Sequence, residues 1–205
     1  MTIILCTGTL SPISSDILKT GILKPSRRLP VYQQLIAQCR DICLQHAQRT
    51  NEISWIPFTP GADYLEPARE LLSSLDSASV FAWADDNCSL FLDFWKACSA
   101  NMKFVLVYSH PEHELGQHIQ HQGYDSSTIE SVIEAWRVRT RAMLTFFMNN
   151  RDRCILVDDR SITASYDALI QALNDRFKVE LPGRSKELQT DFMISPLIEF
   201  FAATL

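Results

Sequence analysis

The sequence predicts a three-layer αβα fold with a mostly parallel sheet. The chain has 205 residues, of which 46% are hydrophobic and 21% are charged, values that are typical of a folded globular domain. Short apolar runs alternate along the chain with segments whose apolar residues recur every three or four positions. This alternation of strand and helix indicates βαβ units, in which crossover helices cover both faces of a parallel sheet.

Five runs are predicted to be strands. The first, Ile3–Cys6, is apolar throughout, as in a strand buried within a parallel sheet, and it is followed by a predicted turn at Thr7–Thr9. The other runs are β-prone and are bounded by polar or proline-containing stretches. They cover residues 53–56, 80–83, 104–108 and 154–157.

Helical periodicity fills the segments between these runs. The clearest helix begins at Ser127, which forms an S-x-x-E capping box with Glu130, and extends to residue 149. The other predicted helices cover residues 31–47, 63–75, 88–98, 112–122 and 162–176. We predict a single domain over residues 1–205, in which a loop at 182–186 leads to a C-terminal helical tail at about 187–205, with its helix near 195–204.

The charge and the cysteine content exclude several classes of protein. The formal net charge is −5, so the chain has no general basic field that would hold nucleic acid or an anionic membrane. The six cysteines form no CxxC pair, and the N-terminal apolar run lacks a basic flank and is too short to span a bilayer. We therefore expect free thiols, no membrane span and a cytoplasmic location.

Ligands of parallel α/β sheets bind beyond the carboxyl ends of the strands, so the residues after each strand are the candidates for function. The loop Thr7–Ser15 follows the first strand and leads into a helix whose start is rich in hydroxyl groups. Backbone amides and hydroxyls at a helix N-terminus suit a phosphate or sulfate. The loop lacks the Walker pattern G-x-x-x-x-G-K-[ST], and capping of the helix by Ser14 or Ser15 is the simpler interpretation.

Carboxylates follow two other strands. Asp85 and Asp86 could act as general base or metal ligands, but Asp86 or Asn87 is more simply the N-cap of the next helix. The segment Asp158-Asp159-Arg160 follows the last strand and is explained in the same way, as a turn and a cap.

Histidines follow the fourth predicted strand. Pro111 suits the first position of a helix, with Ser109 or His110 as its cap. The helix would carry a stripe of histidines within about 140° on its surface, at about 100° per residue. The stripe consists of His110, His113, His118 and His121. A zinc-dependent hydrolase is one hypothesis for it, but HExxH is absent, and a solvated or partly buried helix face is favoured, so no metal site is predicted.

Two basic groups remain. The segment Lys24–Arg28 could close over an anion bound at the strand ends. The other group consists of Arg137, Arg139 and Arg141 on the long helix. A salt-bridged face exposed to solvent is the favoured interpretation of this group, because four residues have the required spacing. They are Glu130, Glu134, Arg137 and Arg141.

Taken in order, these segments resemble the sulfotransferase family over about residues 1–175. Ala84–Asn87 and Trp95 are similar in placement to a K-D-P-R-like segment and to the tryptophan that ends the next apolar stretch in many bacterial members. Ser109-His110-Pro111 resembles the R-N-P that closes a later strand. Gly8–Ser15 resembles the G-x-x-R-S-G-T-S loop, with Gly21 near the glycine that often closes the next helix. The resemblance implies a P-loop α/β fold and transfer of a sulfonyl group from phosphoadenylyl sulfate to a hydroxyl acceptor.

Several positions depart from the family at groups that would hold this donor. Ser11–Ile13 stands where the loop has Arg, Ser and Gly, and Ala84 replaces a lysine. Ser109 stands where the family has the arginine that binds the 3′-phosphate, and Gln117 where it has a serine. Each lost charge-assisted contact weakens binding by roughly 1.5–3 kcal/mol, so two or three losses would lower the affinity by several powers of ten.

Two main hypotheses follow from this resemblance. In the first, a diverged sulfotransferase acts on a small-molecule or glycan acceptor, with His110 and Asp85 as the candidate catalytic residues. Its donor-binding residues would be Gly8, Thr9, Ser11, Ser14, Ser15, Ser109 and His113. In the second, the fold is a catalytically inactive module that binds or regulates a protein partner. The replacements in the strand-end loops favour the second hypothesis.

Overall fold

The computed structural model describes residues 2–8, 37, 60, 62–74, 80–84, 86–122 and 126–181. Four strands are present in this part of the chain: β1 (Thr2–Gly8), β2 (Val80–Ala84), β3 (Met102–Tyr108) and β4 (Cys154–Asp158). The helices are α1 (Leu65–Ser74), α2 (Leu92–Cys98), α3 (Pro111–Gln122), α4 (Ser126–Asn149), α5 (Asp159–Ala164) and α6 (Tyr166–Phe177). Short 3₁₀ helices span Ala62–Tyr64, Asp86–Leu90 and Arg151–Arg153.

The four strands form one sheet in the order β2-β1-β3-β4. Every neighbouring pair is parallel, as the alternating pattern predicts. Strand β1 lies between β2 and β3, which explains why its run Ile3–Cys6 is apolar throughout, because a strand with helices on both faces has no solvent side.

Two apolar clusters lie on opposite faces of this sheet, because successive side chains of a strand point to opposite sides. Ile3 and Leu5 belong to the first cluster, which contains buried residues of α1, α2 and α4. Ile4 and Cys6 belong to the second, which contains buried residues of α5 and α6. The described residues therefore form the three layers of an αβα fold, and the predicted fold class is confirmed.

The first strand is longer than predicted. Thr7 and Gly8 belong to β1 rather than to a turn, because they continue the parallel pairing with Leu106 and Val107 of β3. The other described strands match their predicted runs with one or two added residues at an end.

Two predicted helices are interrupted. The segment predicted as a helix over 88–98 is a 3₁₀ helix up to Leu90 followed by α2, whose N-cap Phe91 makes no side-chain cap hydrogen bond. Asp86 and Asn87 lie inside the 3₁₀ helix, so the prediction that one of them caps the α-helix is wrong. The helix predicted over 162–176 is divided into α5 and α6 at Ser165, whose backbone leaves the helical region.

The long helix α4 confirms the predicted element but not its predicted cap. It begins at Ser126, so Ser127 lies within the first turn rather than before it. Helix α3 begins at Pro111, as expected for proline at the first helical position.

Several predictions lie outside the described residues. These are the strand at 53–56, the helix at 31–47 apart from residue 37, the loop at 182–186 and the tail at 187–205. The described cysteines, which are Cys6, Cys88, Cys98 and Cys154, are buried and form no disulfide bond. No helix among the described residues is long and apolar enough to cross a membrane.

Candidate functional site

The carboxyl ends of three strands meet at one edge of the sheet. Gly8 of β1 pairs with Val107 of β3, and Tyr108, the last residue of β3, pairs with Asp158, the last residue of β4. The segments that follow these strands therefore start side by side, as expected for a parallel sheet.

The connection from β3 to α3 is fixed by hydrogen bonds of Ser109, which is buried. Its hydroxyl donates to Oε1 of Glu114 at 2.9 Å, and its backbone oxygen accepts a hydrogen bond from Nε1 of Trp136 at 2.8 Å. The backbone oxygen of His110 accepts from the N–H of His113 at 3.0 Å, which places His110 at the cap position of α3. Trp136 thus ties the long helix α4 to the turn that carries both histidines.

Glu114 is also paired with an arginine of α4. Its Oε2 accepts from the guanidinium of Arg139, and both side chains are largely buried. The interpretation of the arginine group on the long helix as a solvent-exposed face is therefore wrong for Arg139. The prediction is correct for Arg137, whose guanidinium forms two hydrogen bonds of 2.8 Å with Glu134 on the exposed side of the helix.

The central contact of the site joins His113 and Asp159. Nδ1 of His113 lies 2.7 Å from Oδ2 of Asp159. The Asp159 carboxylate is 1% exposed, whereas the His113 imidazole is 40% exposed. Asp159 therefore holds the pair from inside the protein, and His113 is accessible to solvent. Burial raises the pKa of the Asp159 carboxyl above its usual value, and the hydrogen bond from His113 opposes this rise.

Asp158, the neighbouring carboxylate, has a structural role. It is the N-cap of α5, and its Oδ1 accepts a hydrogen bond from the backbone N–H of Arg160 at 2.9 Å. Burial acts to raise the pKa of Asp158, but hydrogen bonds from the Arg160 side chain and backbone outweigh it and lower the pKa. The prediction of a turn and cap at Asp158-Asp159-Arg160 is thus correct for Asp158 and incomplete for Asp159.

This arrangement can perform proton transfer. While Asp159 is ionised it accepts a hydrogen bond from Nδ1–H, and this tautomer makes Nε2 the basic nitrogen of His113. An imidazole oriented by a buried carboxylate can remove a proton from a hydroxyl group and then hold the resulting positive charge. The described edge also contains Glu114 and two arginines, both of which are paired with carboxylates.

The structure brings together some of the residues predicted from the sequence. Ser109, His110 and His113 lie on one turn, beside the end of β1 where Gly8 has a φ of 111°. The predicted site residues Thr9, Ser11, Ser14, Ser15 and Asp85 lie outside the described residues, as does the segment 24–28. Their roles stay predictions.

The remaining predicted positions lie elsewhere. Trp95 is fully buried in the first apolar cluster, and Ala84 ends β2. His118 and His121 are in α3, but their side chains are outside the described part of the chain. Among the described residues, no three histidine, cysteine, aspartate or glutamate side chains are grouped so that they could hold a metal ion.

Comparison with solved structures gives the identity of the fold. The sulfotransferase domain from the curacin biosynthetic pathway is similar with a TM-score of 0.50 and 10% sequence identity, over 88% of this chain and 75% of that one. The fold is sulfotransferase-like. A sulfotransferase from Mycobacterium tuberculosis gives a TM-score of 0.48 with 11% identity, over 88% of this chain and 68% of its own.

This sulfotransferase-like fold confirms the resemblance at the level of the architecture. No protein-family model matches the chain, and no curated protein matches it in sequence. The likeness is therefore one of fold, and the chemistry of the chain depends on its own residues.

Proposed function

We propose that the chain transfers a sulfonyl group from phosphoadenylyl sulfate to a hydroxyl acceptor, with His113 as the general base. The observation that carries the proposal is the 2.7 Å contact between His113 and the buried Asp159 at the carboxyl edge of a sulfotransferase-like sheet. His110 is the weaker candidate, since no carboxylate among the described residues orients its ring.

The proton follows a simple route in this proposal. The acceptor oxygen forms a bond to sulfur while the sulfur–oxygen bond to the phosphate breaks, and that electron pair leaves with adenosine 3′,5′-bisphosphate. His113 takes the hydroxyl proton on Nε2, and Asp159 stabilises the imidazolium through Nδ1–H. The buried carboxylate keeps the ring in the productive tautomer and orientation, which makes Asp159 a positioning residue.

The described residues include the groups needed for a general base, but the two arginines at this edge and the Ser109 hydroxyl are engaged with carboxylates rather than open to a phosphate. Arg139 and Arg160 are both paired with carboxylates, and the Ser109 hydroxyl donates to Glu114. The donor's phosphates would therefore be held chiefly by the loop that follows Gly8, where Thr9, Ser11, Ser14 and Ser15 supply hydroxyl groups.

The pairing of these arginines and of Ser109 with carboxylates favours a second candidate function. If the Ser109 hydroxyl and both arginines stay engaged with carboxylates, the edge does not hold a 3′-phosphate, and the chain acts as a binding or regulatory module for a protein partner. The two candidates differ in whether a nucleotide binds at all.

Binding of adenosine 3′,5′-bisphosphate is the first test, measured by calorimetry and thermal shift at low salt with sulfate as the control. A ligand that binds only the native state raises its stability by RT ln(1 + [L]/Kd), so even weak occupancy shifts the melting temperature. Micromolar binding supports the transferase. The absence of binding at millimolar ligand contradicts it and supports the module.

The role of His113 is tested by the rate at which the nucleotide is released from phosphoadenylyl sulfate in the presence of a panel of hydroxyl acceptors. Mass spectrometry measures this release. Loss of a general base costs about 10²–10⁴-fold in rate, so we expect at least a 100-fold loss for His113→Gln. The matched control is His110→Gln on the same turn, which should lose less than about tenfold. Equal losses in both variants would reject His113 as the base.

A further inference from the structure

Glu114 divides its carboxylate between two donors from different elements. Its Oε1 accepts a hydrogen bond of 2.9 Å from the hydroxyl of Ser109, in the turn after β3, and its Oε2 accepts from the guanidinium of Arg139 on α4. Ser109 is 1% exposed, and the side chains of Glu114 and Arg139 are 12% and 25% exposed. The carboxylate therefore fills a largely enclosed space between a hydroxyl group and a cation.

The guanidinium of Arg139 uses only part of its donor capacity. Among the described residues, Glu114 is its one hydrogen-bond acceptor, and the donor is Nη2. The neighbouring ion pair of α4 is different, because Arg137 holds both carboxylate oxygens of Glu134 through Nε and Nη2, at 2.8 Å each. An arginine fork can form two parallel hydrogen bonds to one oxyanion. At Arg139 the described residues use one side of this fork and leave the other side to a ligand from solvent.

A group with more oxygens than a carboxylate would match these donors more completely. A tetrahedral phosphate or sulfate can accept from the Ser109 hydroxyl with one oxygen and from both sides of the Arg139 fork with others. Glu114 has only two carboxylate oxygens, and one of them is engaged with the hydroxyl, so the fork receives a single oxygen. The donors around Glu114 therefore suit an oxyanion larger than the carboxylate that occupies them.

We propose that Ser109 and Arg139 form an oxyanion site that Glu114 occupies from within the chain. A phosphate or sulfate group from solvent binds there by displacing Glu114, which makes the carboxylate an autoinhibitory contact. Glu114 lies in the first turn of α3, directly after His113, so its displacement acts on the turn that carries the candidate base. This regulation rests on the proposed function for its role, but the site is tested by anion binding, so the two can fail separately.

Removal of the carboxylate should open the site. Glu114→Ala deletes a methylene and a carboxylate group, which together are close in size to a phosphate. The deletion leaves the largely buried guanidinium of Arg139 without its counter-ion, a state that an anion from solvent relieves. We expect inorganic phosphate to bind this variant at least about tenfold more tightly than it binds the parent. Thermal shift in phosphate–chloride mixtures of constant ionic strength measures the two affinities.

Two matched variants separate a built site from a general change of charge. Glu134→Ala makes the same change in net charge and releases Arg137, but this ion pair lies on the exposed side of α4, so phosphate should bind as weakly as to the parent. In the double variant Glu114→Ala/Arg139→Gln the gain in phosphate affinity should disappear. The proposal is overturned by the absence of a gain in Glu114→Ala, by an equal gain in Glu134→Ala, or by a gain that survives in the double variant.

A second titration distinguishes the source of the oxyanion. If the site serves a nucleotide, Glu114→Ala should also bind adenosine 3′,5′-bisphosphate at least tenfold more tightly than the parent does, whereas a gain for inorganic phosphate alone indicates free phosphate. A phosphate gain in Glu114→Ala together with no binding of the bisphosphate to either protein would reject the transfer reaction and keep the oxyanion site.

A milder variant keeps the proposal testable if circular dichroism shows that Glu114→Ala does not fold. Glu114→Gln retains the size of the side chain, but its neutral amide attracts Arg139 less than the carboxylate does. Phosphate should then compete for Arg139 more effectively, with at least a threefold gain in affinity over the parent. Unchanged phosphate binding in the folded variant would show that Glu114 forms a structural ion pair only.

Discussion

Gly8 approaches the backbone of Val107 so closely that a Cβ at position 8 would overlap the carbonyl oxygen of Val107. The overlap involves backbone rather than the end of a flexible side chain, so neither strand can relax cheaply. The φ of 111° at Gly8 adds a second cost, since residues with a side chain rarely adopt it. Glycine at this position allows β1 and β3 to pair up to the edge that carries the candidate site.

Gly8→Ala should therefore destabilise the protein by more than about 3 kcal/mol, in the range seen only for severe backbone or core defects. The free energy of unfolding in urea measures the effect. Ala68→Gly, at a buried position of helix α1, serves as the reverse control, with an expected loss of about 2 kcal/mol, of which roughly half comes from helix propensity and half from the lost methyl group. A Gly8→Ala variant as stable as the parent would mean that β1 ends before residue 8.

Trp136→Phe should cost about 1–3 kcal/mol of stability. Phenylalanine keeps an aromatic ring of smaller size, and the buried backbone oxygen of Ser109 loses the hydrogen bond from Nε1. Urea unfolding gives the change. Arg137→Gln, on the next residue of α4, removes only an exposed ion pair and should leave the stability unchanged. A larger loss for Arg137→Gln than for Trp136→Phe would contradict the proposed tie between α4 and the Ser109 turn.

Asp158 should contribute to stability in a pH-dependent way. Its pKa is lowered in the folded state, so its contribution is present above the ordinary carboxyl value of 3.8 and is lost as the pH falls below it. Asp158→Asn keeps a side chain that caps helices well but removes the charge opposite Arg160. The difference in unfolding free energy between parent and variant should shrink from pH 6 to pH 3. A difference that grows on acidification would show that the Asp158 pKa is raised instead.

Three cysteines should be almost unreactive in the folded protein. Burial raises the pKa values of Cys6, Cys98 and Cys154 from 9.0 to about 12, and only the thiolate is a good nucleophile. We expect alkylation by iodoacetamide at pH 8 to be at least 100-fold slower in native protein than in urea, as followed by mass spectrometry of each peptide. The same experiment measures the alkylation of Cys39 and Cys43. The sequence predicts these two thiols to be reduced and buried on the helix at 31–47. Native labelling of Cys154 within minutes would show that its strand opens readily.

Local patterns in the sequence predict the strands and helices of the fold well. The apolar runs at 80–83, 104–108 and 154–157 become β2, β3 and β4 because β-prone side chains on both faces can be buried only in a covered sheet. The breaks at Phe91 and Ser165 are missed, since the apolar periodicity continues through both of them and only the backbone dihedral angles change.

The contacts of the candidate site at the carboxyl ends of the strands are predicted less completely from the sequence. His113 and Ser109 are predicted because they follow a strand. The partner of His113, Asp159, is 46 residues away, and its own sequence context predicts only a local turn and cap. No spacing along α4 indicates a partner for Arg139, and only the packing of α3 against α4 brings Glu114 to it. Contacts between elements depend on how the helices pack, and spacing along one element does not contain that information.

The central place of β1 in the sheet has a consequence for synthesis. The strand is the first of the four to leave the ribosome, yet its two partners begin at Val80 and Met102. At about 5–20 residues per second, this apolar segment waits roughly 5–20 seconds before both neighbours have been translated. Throughout that interval the apolar segment at residues 2–8 has neither of its strand partners, so the nascent chain is exposed to association with other chains until the sheet can close.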